Sequence, residues 1–254
     1  MSAERGLFVA PFDELVDPNT LAELAASAEA HGWDGFFLWD HVRYRPPVQA
    51  VADPWVALAA VACATERIRF GPLVTPLSRR RVHKVARETV TLDLLSGGRL
   101  TLGVGLGSDR NDELEPFGEV VDPRERARLL DAGLERLSAY WSGEFEPRPV
   151  QTPRIPVWVA ARWPNRRPLR RAARWDGLFP IELPDPDALA ELAHEVRELR
   201  SEAGQDGQFD LVVDLPPDSE PSPWAAAGAT WILADFGFEP KLREVREVID
   251  AGPR

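Results

Sequence analysis

The sequence predicts an α/β protein, a single TIM (β/α)8 barrel spanning residues 1–254, on three observations. Short apolar runs and helical runs alternate along the chain eight times, and eight is the number of parallel strands that closes a barrel. Helices open repeatedly on Asp-Pro, at 17–18, 53–54, 122–123 and 185–186. There aspartate accepts from first-turn amides and proline loses no helical hydrogen bond. The third observation is Leu92–Gly107, LDLLSGGRLTLGVGLG, an apolar helix tail that stops at Gly97-Gly98 and turns into a strand. An open doubly wound sheet would want a Gly-rich fingerprint after its first strand, and PFDELVD is not one.

The elements follow in order. Leu7–Phe12 is the first strand, and LAELAASAEAHG after Asp17-Pro18 the first helix. Phe36–Asp40 is the second strand, WVALAAVACAT the second helix, Ile68–Thr75 the third strand and Val82–Leu95 the third helix. Arg99–Gly107 is the fourth strand, with glycines at 103, 105 and 107 on one face, which suggests that something approaches the backbone closely there; tight interior packing is the alternative. The fourth helix runs from Asp122-Pro123 through Trp141 to Gly143. Val157–Ala161, Asn165–Arg174, Leu178–Glu182 and the run from Asp185-Pro186 to Gly204 give strand five, helix five, strand six and helix six. Leu211–Leu215 and Trp231–Phe236 are the last strands, with at most a stub of helix at Trp224–Gly228 between them, and Lys241–Ala251 is the last helix. AHGWDGFFL and AARWDGLFP echo one another, either as a half-barrel repeat or as one helix-to-strand turn solved twice.

Composition narrows the partners. A net charge of −11 argues against nucleic acid and anionic membranes. The single cysteine, Cys63, rules out an intramolecular disulfide framework, fits a reducing cytoplasm, and sits among alanines and valines as a buried small hydrophobe. The N-terminal apolar run is too short for a signal peptide and no run is long enough to span a bilayer, so a soluble intracellular protein is expected.

In a barrel the site lies at the carboxyl ends of the strands. That leaves Asp40 and His41, the turn Leu73–Thr75, Ser108–Glu113, Arg162–Arg167 and Glu182. His31, His83 and His194 fall on helices, whereas His41 stands just past a strand and is the natural proton handler. No histidine or cysteine pair has metal-ligand spacing, and Asp112, Glu113 and Glu115 read as loop solvation. The fifth helix would begin directly after its strand, so its first-turn amides, with Arg166 or Arg167, suit a phosphate.

Taken together, GWDGFFLWDHV, ATERIRFGPLVTP, ETVTLDLLSGGRLTLGVGLG, NDELEPFG, AGLERLSAYWSGE, RIPVWVAA, AARWDGLFP, AGATWIL and IDAGPR resemble, in this order, the luciferase-like flavin-dependent oxidoreductases. That family includes bacterial luciferase and the dehydrogenases of the deazaflavin F420. The resemblance implies a TIM barrel holding reduced FMN or F420 at its carboxyl end, a non-prolyl cis peptide at Leu73–Val74, and His41 as the active-site histidine. It places Asp40, Leu73, Val74, Thr75, Gly105, Gly107, Ser108, Ala161, Arg162, Arg166 and Arg167 around the cofactor.

The chain departs from the family pattern in several places. Ala160-Ala161-Arg162-Trp163-Pro164 stands where the phosphate loop is usually Gly-rich, and Tyr44 and Arg45 stand near a usual tryptophan. Ser108 replaces the glutamate of F420 dehydrogenases, leaving Asp109, one position on, as the catalytic carboxylate. The insertion between strands seven and eight is reduced, which implies an open site or a lost activity. The first expectation is an oxidoreductase of the monooxygenase type, using reduced FMN on a small organic substrate, with a flavin reductase as a possible partner. An F420-dependent hydride-transfer enzyme is the alternative, and a non-catalytic flavin-binding member the third. A homodimer is expected through the second helix, which is apolar almost all round.

Overall fold

The computed structural model describes residues 3–253. Nine parallel strands form its sheet: β1 (Glu4–Val9), β2 (Gly35–Leu38), β3 (Arg69–Pro72), β4 (Thr75–Pro76), β5 (Leu102–Gly105), β6 (Val157–Arg162), β7 (Gly177–Ile181), β8 (Asp210–Leu215) and β9 (Trp231–Asp235). β3 and β4 are two pieces of one barrel strand, interrupted at the cis Leu73–Val74 peptide that the resemblance implied. The strand order is β3-β2-β1-β9-β8-β7-β6-β5-β4. Phe70 bridges Leu100 in parallel, and Thr101 N–H donates to the Phe70 carbonyl at 2.9 Å, so the ring closes as an eight-position barrel.

Around it lie α1 (Pro18–Ala30), α2 (Pro54–Ala64), α3 (Val82–Ser96), α4 (Pro123–Ala139), α5 (Leu169–Ala172), α6 (Pro186–Glu202), α7 (Ser222–Ala226) and α8 (Leu242–Ala251). Each Asp-Pro works as the sequence indicates: Asp17 accepts from Asn19 and Thr20, Asp53 from Val56, Asp122 from Glu125 and Asp185 from Ala188, all at the backbone N–H. Gly97 ends α3 at φ 65°, the left-handed cap that glycine adopts without penalty.

The echo is one turn used twice. Asp34 takes the Arg5 N–H at 2.8 Å and Asp176 takes the Val157 N–H at 2.9 Å, each tying the start of its own strand to that of the preceding one. Their own amides return bonds to the carbonyls of Arg5 and Val157. Two requirements, a helix end and a parallel strand start, have met one local solution.

Three expectations are corrected. The fifth helix is four residues, not the span Asn165–Arg174, because Pro164 and Pro168 punctuate it and the Asn165 side chain takes the Arg167 N–H at 3.1 Å, favouring a turn. Cys63 is exposed, and Val56 on the same helix is 64% exposed, so α2 is buried on one side only. The glycine face of β5 is filled by the chain itself: a Cβ on Gly103 would meet Leu73 Cδ1 and the Pro72 carbonyl at 2.6 Å, one on Gly105 would meet Val74 Cγ2 at 2.8 Å, and one on Gly107 would meet Pro76 at 2.9 Å. Tight interior packing, with the cis segment lying on a bare strand, explains these glycines.

Strand alternation sorts the side chains. Phe8, Phe37, Leu73, Trp158, Phe179, Val212, Trp231 and Leu233 fill the barrel interior, and the alternate residues pack outward against the helices.

Candidate active site

Above the interior plug, at the carboxyl ends of the strands, Trp39, Val74, Ala160 and Ile181 form a partly exposed apolar ledge. The same inward alternation brings Arg162 of β6, Asp214 of β8 and Asp235 of β9 to the mouth around it. His41 lies beside Trp39 and Tyr44, at 5.7 and 4.9 Å between ring centroids, with a quarter of its side chain exposed.

His41 is fixed from behind. Its Nδ1 lies 2.7 Å from Glu113 Oε2, while Glu113 Oε1 accepts from Val42 N–H at 3.0 Å and from Arg79 Nη1 at 3.1 Å. A carboxylate only accepts, so Nδ1 carries the hydrogen and Nε2 is the nitrogen left to take up a proton. The Glu113 side chain is 2% exposed, which corrects its reading as loop solvation. Its loop folds inward because Asp109 accepts from Leu114 N–H at 2.7 Å and Glu115 N–H at 3.3 Å, burying Leu114 and carrying Glu113 in with it. Asp109 therefore shapes the loop. Ser108 does likewise, its Oγ accepting the Arg110 N–H.

Asp40 lies beneath the site instead of lining it. Its carboxylate receives Arg79 Nη2 and Arg80 Nη2 at 2.8 Å, the Thr75 hydroxyl at 2.7 Å and the Trp55 indole at 3.1 Å. Burial pushes this carboxyl up, but Arg80, Arg79 and Thr75 outweigh it and hold Asp40 below the usual carboxylate range. Asp40, Glu113, Arg79 and Arg80 thus form a charge-balanced support under His41, and Thr75 serves that support.

Leu73 is in the barrel core, while Val74 reaches the ledge. Gly105 and Gly107 lie under Val74 and Pro76, and Ala161 faces the outer core, leaving Ala160 to line the mouth. Arg162 pairs with Glu182, which also meets Arg110 at 3.4 Å. Arg166 turns to Glu191 and Glu195 on α6 and stacks on Trp163, whereas Arg167 is exposed. With α5 only one turn long, the predicted cradle of helix amides is not formed; exposed Arg167 is left at the rim for a phosphate, and Arg162 would have to leave Glu182 to join it.

Asp214 and Asp235 were not among the sequence candidates. Burial and the neighbouring Asp235 charge raise the Asp214 carboxyl to about 7, and burial raises Asp235 to about 6 against the bond it accepts from Gly237 N–H. The signal was available in the alternation: Val212 and Leu233 point inward, so residues two positions on do so too.

The chain matches the family described as luciferase-like monooxygenase over residues 6–247. It belongs to that family. An uncharacterized protein of Mycobacterium tuberculosis is 31% identical over 92% of this chain and 91% of its own length. Two solved structures share the fold. An F420-dependent secondary alcohol dehydrogenase in complex with an F420–acetone adduct has a TM-score of 0.78 at 18% identity, covering 98% of this chain and 99% of that one. The oxygenating constituent of 3,6-diketocamphane monooxygenase from Pseudomonas putida, in complex with FMN, has a TM-score of 0.71 at 18% identity, covering 85% of this chain and 67% of that one. The ring held differs between these two structures, F420 in the first and FMN in the second. Among the described residues, no helix is long and apolar enough to cross a membrane.

Proposed function

We propose that the protein is an oxidoreductase that seats a reduced flavin-type ring on the ledge of Trp39, Val74, Ala160 and Ile181, beside His41. The ledge carries this reading: four partly exposed apolar side chains from separate strands, bordered by groups that can take up or supply protons. Among the described residues, the buried indole Nε1 of Trp39 has no hydrogen-bond partner, which suits an acceptor atom of such a ring. When bound, the ring supplies two-electron chemistry that the side chains lack. The chain's own residues would hold it: Val74 would brace it, Arg167 and Arg162 would be the cations for its phosphate, and Nε2 of His41 would accept or return a proton.

Between the two rings we favour F420. The preference for FMN rested on the absence of a carboxylate at Ser108, and Asp214 and Asp235 stand on another wall of the same mouth. FMN monooxygenation remains the second reading, supported by the family description. Fluorescence-quenching titrations with F420 and FMN decide between them. F420 is expected to bind at least tenfold more tightly; tighter FMN binding reverses the order, and no binding of either refutes the reading.

A further inference from the structure

We propose that Asp214 and Asp235 together hold one proton at neutral pH and present it to the molecule on the ledge, a proton-donor site separate from His41. The inference rests on the ring-binding reading above. The pair is built by strand register. Asp214 pairs with Leu233 across the β8–β9 ladder, which puts Asp235 one diagonal step away on the same inward face. Among the described residues, no other residue donates a hydrogen bond to Asp214, and Asp235 receives only Gly237 N–H.

Among the described residues, no cation pairs with either carboxylate; Arg45 lies over the Phe238 and Tyr44 rings, at 4.7 and 5.6 Å from their centroids. Arg162, the charged side chain that β6 brings to the mouth, is turned to Glu182, and His41 and Arg79 are held by Glu113. From the β2 side comes Tyr44, whose phenol is pushed up by its own burial, with Glu113 and Asp235 among the negative charges acting on it. β1 contributes Phe8 and β7 contributes Ile181, neither titratable. Two carboxylates left without a counter-ion in a partly desolvated mouth resist ionising together, so the pair keeps a proton into the neutral range, where a free aspartate has lost it. The raised titration of both carboxyls agrees with this placement.

A retained carboxyl O–H is a donor, and the unpartnered Trp39 indole is a second donor at the same ledge. Both suit a bound molecule that offers oxygen or nitrogen acceptors. On transfer the carboxyl O–H bond breaks, the proton goes to an acceptor atom of that molecule, and the pair passes from one negative charge to two. Solvent at the open mouth restores the proton.

Two measurements on the intact chain test this. In carboxyl-carbon NMR titrations of the free protein, one aspartate is expected to titrate well above the ordinary range. It is assigned by its loss in Asp214→Asn or Asp235→Asn, and removing either partner should bring the other down. Ordinary titration of both, or indifference of each to the other's removal, overturns the shared proton. In the second measurement, the Kd of F420, or of FMN if that ring binds instead, is followed from pH 6 to 8.5. It is expected to rise about thirtyfold in the wild type, as linkage to one proton with a midpoint near 7 requires, and to lose that rise in Asp214→Asn. The same pH dependence in both proteins overturns the donor role. If neither ring binds at any pH, the ring-binding reading and the donor role fail together, while the NMR result on the shared proton stands by itself.

Discussion

At the scale of single residues, the molecule separates carboxylates that look alike in sequence by what surrounds them. Glu113 is buried against His41 and Arg79, Asp109 caps its own loop, Asp40 is locked by two arginines, and Asp214 pairs with no cation among the described residues. Their roles differ accordingly: orienting a histidine, folding a loop, bearing a buried charge, and holding a proton. His41→Asn is expected to keep a donor for Glu113, leave the melting temperature within a few degrees of wild type, and lower turnover of the bound reduced ring about a hundredfold. Glu113→Gln removes the charge that orders both His41 and Arg79, so it should lower turnover about tenfold, shift the pH profile of turnover and depress the melting temperature as well. Thermal denaturation beside steady-state kinetics at several pH values checks both. A His41→Asn variant with full turnover would remove the histidine from the chemistry.

At the scale of elements, the barrel wall is continuous except at Leu73–Val74, and the neighbouring strands are shaped to that break. Gly103, Gly105 and Gly107 leave room for Leu73, Val74 and Pro76, and Gly71 gives the same clearance on the other piece of the strand. An added Cβ at Gly71 would run into the Thr101 carbonyl oxygen, a backbone atom of the strand that closes the ring. At Gly105 the close contact would be a side-chain methyl of Val74 at 2.8 Å, with Ala160 Cβ at an ordinary 3.5 Å. Gly71→Ala is therefore expected to destabilise by about 3 kcal/mol or more and Gly105→Ala by about 1 kcal/mol. Urea denaturation of the two variants measures the contrast; equal losses would show that the β3–β5 seam yields as easily as a side chain does.

At the scale of the whole molecule, the helical layer is uneven. α2 and α3 carry Val56 at 64% exposure, Leu95 at 49% and Leu94 at 44%, together with exposed Cys63, while their inner sides are buried. Water-facing aliphatic side chains on neighbouring helices are the feature an isologous interface would cover. We propose a homodimer with α2 near the two-fold axis. Light scattering at micromolar concentration should return twice the 28.3 kDa chain mass, and the double variant Val56→Asp, Leu95→Asp should return one chain mass. A wild-type monomer sinks the proposal.

What the sequence by itself determined was everything governed by neighbours along the chain. Asp-Pro caps, the Gly97-Gly98 stop, and periods of two and of helical turns placed the strands to within three residues, the first being Glu4–Val9 where Leu7–Phe12 was expected, and all but one of the helices. The fifth helix escaped because two prolines and an Asx turn compete with a favourable apolar pattern over ten residues. The ordered series of motifs placed His41 at the mouth and the cis peptide in the third barrel strand. Only the tertiary structure decided the partners. Glu113 reaches His41 across 72 residues and Arg79 reaches Asp40 across 39, and nothing local distinguishes Glu113 from Glu115, which stays in solvent. The glycines of β5 took their meaning from a strand thirty residues earlier, and Asp214 became a proton holder only when closure of the ring set Asp235 beside it. Backbone conformation is set by interactions a few residues long. The energy of a charge depends on whatever the folded chain brings within a few ångströms of it.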